Sequence, residues 1–155
     1  MIEIKGILHF DPVNISRKHN KQASWKKIAI IKLQDDTDLL YSWFLKNRFD
    51  LELNRSIRGS HVTLISDIVD DVIWEEARKV FDGSEISVFY DPEEVRTNGT
   101  HWWLKIYSKD SENIRVSMGL DPTPYFNFHL TIGYANNRNI EHSEYILSCI
   151  KKFNL

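Results

Sequence analysis

The sequence predicts a mixed α/β domain of the α+β type, and two observations carry that prediction. Short runs rich in β-branched and aromatic residues alternate with stretches of helical periodicity along all 155 residues. Within two of those runs the tetrapeptide His-x-Thr-aliphatic recurs, as His61-Val62-Thr63-Leu64 and His129-Leu130-Thr131-Ile132. The copies lie 68 positions apart (129 − 61), and each follows a helix and a loop and precedes another helix. That duplication predicts two related α/β lobes facing one another in one compact domain over residues 1–155, with an internal pseudo-twofold relation.

The elements follow in order. Glu3 to Phe10 is a first strand, and the polar, basic stretch Asn14 to Ser24 reads as an exposed loop. Lys27 to Leu33 is β-branched and reads as a second strand, after which Asp35, Asp36, Thr37 and Asp38 supply a cap and acidic first turn to a helix over Leu39 to Phe49. The loop Asn54 to Ser60 leads into the motif strand His61 to Ser66. The acidic residues Asp67, Asp70 and Asp71 then start a helix near Val72 to Phe81, which Asp82-Gly83 ends. Glu85 to Tyr90 alternates as a strand, Asp91 to Thr100 is a turn-rich connection, and His101 to Ser108 is a further strand expected to form a hairpin with it. Asp110 to Leu120 is a short helix stopped by Pro122 and Pro124, Phe126 to Tyr134 is the second motif strand, and Glu141 to Phe153 is a closing helix. Trp43 and Trp74 lie at helical spacing from other apolar residues and are assigned to the core.

Composition narrows the function. A formal charge of −2 leaves no overall basic field to hold long nucleic acid nonspecifically, while a small or short anionic ligand held locally stays open. Cys149 is the only cysteine, so neither a disulfide framework nor a cysteine-rich zinc site is available. Met1 to Gly6 contains no basic leader and no apolar run approaches a bilayer span, so the expectation is a soluble, cytoplasmic protein.

Side chains alternate along a strand, so His61 and Thr63 share a face, as do His129 and Thr131. Six His and six Thr in this chain should give about 0.2 such pairs by chance, so two copies between apolar neighbours point to a common cause. In-line displacement at a phosphodiester needs a base on the attacking oxygen, an acid on the leaving oxygen, and donors for the phosphoryl oxygens. Two imidazoles that titrate near neutrality and two hydroxyls provide all of these without a metal or other cofactor. Which His is base and which acid stays open at this level.

The quartet His61, Thr63, His129 and Thr131 resembles the paired signature of the two-histidine (2H) phosphoesterases, and Asn127-Phe128-His129-Leu130-Thr131-Ile132 is similar to that family's second motif. The resemblance implies a bilobal fold, with two antiparallel sheet lobes around a concave cleft and helices outside. It further implies metal-independent chemistry on 2′,3′-cyclic phosphates, 2′-5′ linked oligonucleotides or cyclic oligonucleotides, some viral members destroying second messengers of host defence. The Lys, Asn and Ile content suits an AT-rich genome such as a phage's. A module that sequesters a nucleotide or RNA without cleaving it is the alternative.

Strand parity adds candidates. Trp103, Lys105 and Tyr107 share a face with His101, opposite Trp102, Leu104 and Ile106, and Tyr125 and Asn127 share the face of His129 if the strand is regular that far back. Trp103, Tyr107 and Tyr125 are candidates to stack on bases and Lys105 to neutralise a phosphate. By the same alternation Ser87 and Phe89 turn to that side. Arg55 and Arg58 lie in the loop before His61, within reach of phosphate but at positions where arginine is usually solvated. His9, His19, His101 and His142 lack metal-ligand spacing and read as ordinary residues. The acidic clusters read as helix caps.

Overall fold

A computed structural model describes residues 1–12 and 26–153; the expected loop Asn14 to Ser24 and His19 lie outside the described residues. The order is β1 (Ile2–Phe10), β2 (Lys27–Leu33), α1 (Thr37–Phe49), β3 (His61–Asp67), α2 (Asp71–Phe81), β4 (Glu85–Tyr90), β5 (Val95–Thr97), β6 (His101–Lys105), α3 (Lys109–Ser117), β7 (His129–Tyr134) and α4 (Ile140–Phe153). The strands form one curled antiparallel sheet of seven, in the order β4-β1-β2-β3-β7-β6-β5. The strands expected to form two separate sheets fall instead in this one continuous sheet, in which the motif strands β3 and β7 lie side by side.

One face of this sheet is aliphatic. Cross-strand partners project to the same side, so the line Ile4, Leu8, Ile31, Val62, Leu130, Leu104 and Val95 runs across the sheet as a single buried layer. Leu45, Trp74, Ala77, Ile114, Met118, Ile146 and Ile150 bring the helices into the same core. Val62 and Leu130 are fully buried, and each stabilises the fold by about 1.5 to 3 kcal/mol. A one-residue slip of β3 would expose this layer and turn His61 and Thr63 into the core, so burial of the aliphatics holds the motif side chains on the opposite face.

Several expectations are corrected. β4 pairs with β1, not with β6, because Ile86 and Val88 continue the aliphatic layer opposite Gly6 and Ile4. The hairpin of β6 is with the short strand β5, which the turn-rich reading of Asp91 to Thr100 missed; Asn98 Oδ1 closes the turn by accepting the amides of Thr100 and His101. β6 ends at Lys105 instead of Ser108, since Ile106 N donates to Phe128 O and Tyr107 bridges back to Phe89 on the far edge strand. Trp74 packs on Phe10 with ring centroids 4.6 Å apart, but Trp43 is exposed. Helix α1 turns Thr37, Asp38 and Leu45 inward, which leaves Leu39, Leu40 and Trp43 facing outward. The N-cap position of α1 is Asp36, whose side chain makes no capping bond, while Asp38 lies in the acidic first turn as expected but fully buried, accepting from Arg55 Nε at 2.8 Å. Asp70 does cap, accepting the Val72 and Ile73 amides.

Candidate functional site

β3 and β7 share a single residue pair, Val62 opposite Leu130. Extending that antiparallel register one residue each way sets His61 opposite Thr131 and Thr63 opposite His129, all four on the face away from the core. The histidines occupy one diagonal of this square and the threonines the other. Such diagonal positions lie about 7 to 8 Å apart, with their Cβ atoms somewhat closer. The proximity is felt electrostatically, since a charge on His129 disfavours one on His61.

Each motif histidine is held in the same way. His61 Nδ1 lies 2.9 Å from Gly59 O and His129 Nδ1 3.0 Å from Asn127 O. A carbonyl can only accept, so in both rings Nδ1 carries the donated proton and Nε2 is left for a ligand. The accepting residue stands two positions before the histidine in both cases, with left-handed backbone, φ 67° at Gly59 and 58° at Asn127. Glycine adopts that conformation without a Cβ clash, and asparagine is among the few other residues that visit it.

A second feature recurs just past each threonine. Ala29 faces Ile65 and Ile30 faces Thr63, so Leu64 is an extra residue in β3; Trp102 faces Gly133 and Trp103 faces Thr131, so Ile132 is an extra residue in β7. Each bulge twists its strand locally. In β3 it lets the consecutive Leu64 and Ile65 both turn to the core. Arg115 braces the first bulge from below. Itself buried, it donates to Leu64 O at 2.9 Å, to Asp67 Oδ2 at 2.8 Å and to Asp121 O at 2.8 Å, tying β3 to the loop ahead of β7.

The two histidines differ in surroundings. His61 is only 8% exposed, and its pKa is pushed below the ordinary imidazole value chiefly by burial and further by the nearby Arg58 and His129, against the raising pull of the Gly59 carbonyl and Asp38. His129 sits in a more open position.

Of the other expected contacts, Trp103 and Lys105 lie on the motif face, across from Thr131 and His129 respectively. Lys105 Nζ stands 4.9 Å from the Tyr107 ring. Tyr107 itself is committed, its hydroxyl lying 2.8 and 2.9 Å from the two Glu94 carboxylate oxygens and sharing its one proton with that carboxylate. Tyr125 is not on the strand. Asn127's left-handed turn delays β7 to His129, and Tyr125 stands 92% exposed in the preceding loop, edge-on to Phe126 at 4.9 Å. Ser87 and Phe89 turn away from the aliphatic layer as expected; β4 is the far edge of the sheet, yet Phe89 bridges to Tyr107. Arg55 and Arg58 are not simply solvated: Arg55 is held by Asp36 and Asp38, and Arg58 is buried beside His61.

Two further residues of this face were not among the expected site residues. His101 was read as ordinary, yet its Nε2 lies 3.3 Å from Thr131 Oγ1 and its ring centroid 6.2 Å from that of His129. Parity along β6 already turned it to this side, while the metal-spacing criterion set it aside. Lys32, across from His61 as Lys105 is across from His129, needed the pairing of β2 with β3 to be seen. A cavity of about 530 Å³, lined by Lys105, Tyr107, Asn127, Phe89 and Thr123 among others, opens beside the quartet on the His129 side, and none of the quartet lines it. Among the described residues no three His, Cys, Asp or Glu cluster to hold a metal, and no helix is long and apolar enough to cross a membrane. A scan against protein-family models and searches of curated proteins and of solved structures found no match.

Proposed function

We propose that this chain is a phosphodiesterase of the two-histidine kind, cleaving cyclic or 2′-linked nucleotide or oligonucleotide phosphodiesters by paired general acid and base catalysis without a metal. The fold belongs to the same proposal: two units, β1-β2-α1-β3-α2 and β5-β6-α3-β7-α4, related by a pseudo-twofold axis between Val62 and Leu130 and enclosing the substrate cleft. The repeated carbonyl latch on each histidine and the repeated bulge after each threonine support that relation.

The observation that carries the functional reading is the antiparallel pairing of Val62 with Leu130, a register that, extended by one residue each way, crosses His61 with Thr131 and Thr63 with His129. A phosphate centred over the square meets one imidazole Nε2 on either side and one hydroxyl at each remaining corner. His61, kept neutral by burial, takes the proton of the attacking hydroxyl or water as the new P–O bond forms. His129 delivers a proton to the leaving oxygen as the old P–O bond breaks. The threonine hydroxyls donate to the phosphoryl oxygens throughout. Lys32 and Lys105 flank the square with positive charge, and Trp103 offers a ring for a base. The viral role in degrading cyclic oligonucleotide signals is one form of this activity.

The test is turnover of 2′,3′-cyclic nucleotides, 2′-5′ oligoadenylate and cyclic di- and trinucleotides in excess chelator. Product is expected from at least one class, with kcat of His61→Ala and of His129→Ala lowered at least about 100-fold. Full activity in either variant ends the assignment, and tight binding without product would mark a sequestering module instead.

A further inference from the structure

We propose that His101 is a positioning residue for Thr131, donating from Nε2–H to Oγ1 so that the threonine's own proton is directed at the substrate phosphate; the proposal rests on the phosphodiesterase reading above. The contact of 3.3 Å is side chain to side chain and joins β6 to β7 inside the motif face. The His101 ring is itself fixed, 4.7 Å from the Tyr134 ring and 5.2 Å from that of Trp103, with its backbone amide anchored on Asn98 Oδ1. A hydroxyl has one proton to give. If His101 supplies the proton in the shared bond, Thr131 accepts on its oxygen and keeps its own proton for a phosphoryl oxygen. If His101 were the acceptor, Thr131's proton would be consumed and the hydroxyl lost as a donor.

Thr63 has no such neighbour. Its partner on β2 is Ile30, and no protein group among the described residues bonds its hydroxyl. The two His-x-Thr copies are thereby unequal in a way their sequences do not reveal: one hydroxyl is oriented before substrate arrives and the other turns to meet it. Burial, and then the neighbouring His129, push the His101 pKa down, which keeps the ring a neutral, single-proton donor at neutral pH.

The experiment combines ring-nitrogen NMR on protein carrying isotope-labelled histidine with kinetics of His101→Gln, His101→Phe, Thr131→Val and the double variant His101→Phe/Thr131→Val on whichever of the substrates named above the wild-type protein cleaves. The expected tautomer of His101 has the proton on Nε2. Thr131→Val should lose about 100-fold in kcat, as for one transition-state donor. His101→Phe should lose about 10-fold or more, mainly in kcat, as is usual when a group that orients a primary contact is removed. The double variant should be no slower than Thr131→Val alone, and His101→Gln, whose carboxamide N–H can replace Nε2–H, should recover most of the rate. A proton on Nδ1 of His101, or losses that multiply in the double variant, would overturn the proposal. Should the wild-type protein cleave nothing, the phosphodiesterase reading falls by itself; the tautomer, and titration of the same variants with inorganic phosphate, still decide the His101 link. Equal phosphate affinity of His101→Phe and wild type would then count against it.

Discussion

The His61 half and the His129 half share a latch, a bulge and a flanking lysine, yet they differ in solvent and in what stands behind the hydroxyl. His61 is closed in, with Arg58 beside it and the Arg55–Asp38 pair beneath its loop, whereas His129 lies near the open cavity and its neighbouring Thr131 is met by His101. Two copies of one tetrapeptide therefore acquire different properties from their neighbours. Burial lowers proton affinity on one side and access remains on the other, an asymmetry that suits the base and acid roles proposed for the two imidazoles.

The largest expected effect breaks both halves alike. His61→Ala or His129→Ala should each lower kcat by about 100- to 10,000-fold, the usual contribution of a positioned acid or base, measured on the substrate the wild-type protein cleaves. If the halves are as different as their burial implies, the surviving histidine leaves different pH profiles: His129→Ala keeps the acid limb set by His61, and His61→Ala loses it.

Next comes the brace between the halves. Arg115→Met removes donors to Leu64 O and Asp121 O and the partner of Asp67, and should destabilise by about 2 to 4 kcal/mol in denaturant unfolding, less than a fully buried pair because Asp67 is partly exposed. An unchanged midpoint would show that the first bulge and the loop before β7 stand independently.

The latches provide a sharper contrast. Gly59→Ala forces a β-carbon onto backbone with φ 67° and should cost about 1 to 2 kcal/mol along with misaiming His61, while Asn127→Gly should be close to neutral because the turn is already left-handed. Thermal melts and kcat measured together separate the two; equal losses in both variants would remove the idea of a shared latch.

Acid should act on the buried imidazoles of both halves. His61 and His101 both have folded pKa values below the unfolded value near 6.5, so between those values the unfolded chain binds more protons than the folded one. Their contribution is complete above about pH 6.5 and declines as pH falls through that value towards the folded pKa values. His61→Gln should flatten this dependence in unfolding curves taken across that range; an unaltered slope would mean that burial does not set the His61 proton. The smallest effect is expected from Lys32→Ala and Lys105→Ala, each weakening substrate binding only a few-fold and reducing its salt dependence.

Much of the fold was legible because strand and helix signals are local. The runs Lys27 to Leu33, His61 to Ser66 and Glu85 to Tyr90 carry their period in their own residues, and the elements appear where that period places them. The failures came from strand pairing and from local irregularities that the period of a segment does not reveal. The hairpin expected between Glu85–Tyr90 and His101–Ser108 failed because sequence neighbours need not pair, and Trp43 was placed in the core by a spacing that Asp38's inward turn overrode. Tyr125 was carried to the motif face by parity that a single left-handed residue, Asn127, interrupts.

The tetrapeptides by themselves determined which side chains share a face on each strand, because alternation is a property of the extended backbone and the flanking aliphatics must be buried. Only the tertiary structure decided that β3 and β7 touch at Val62 and Leu130, that a histidine from β6 reaches Thr131, and that one imidazole is dry while the other is open. Those properties arise from contacts between residues tens of positions apart, which depend on how buried surfaces close over one another and are written in no single segment.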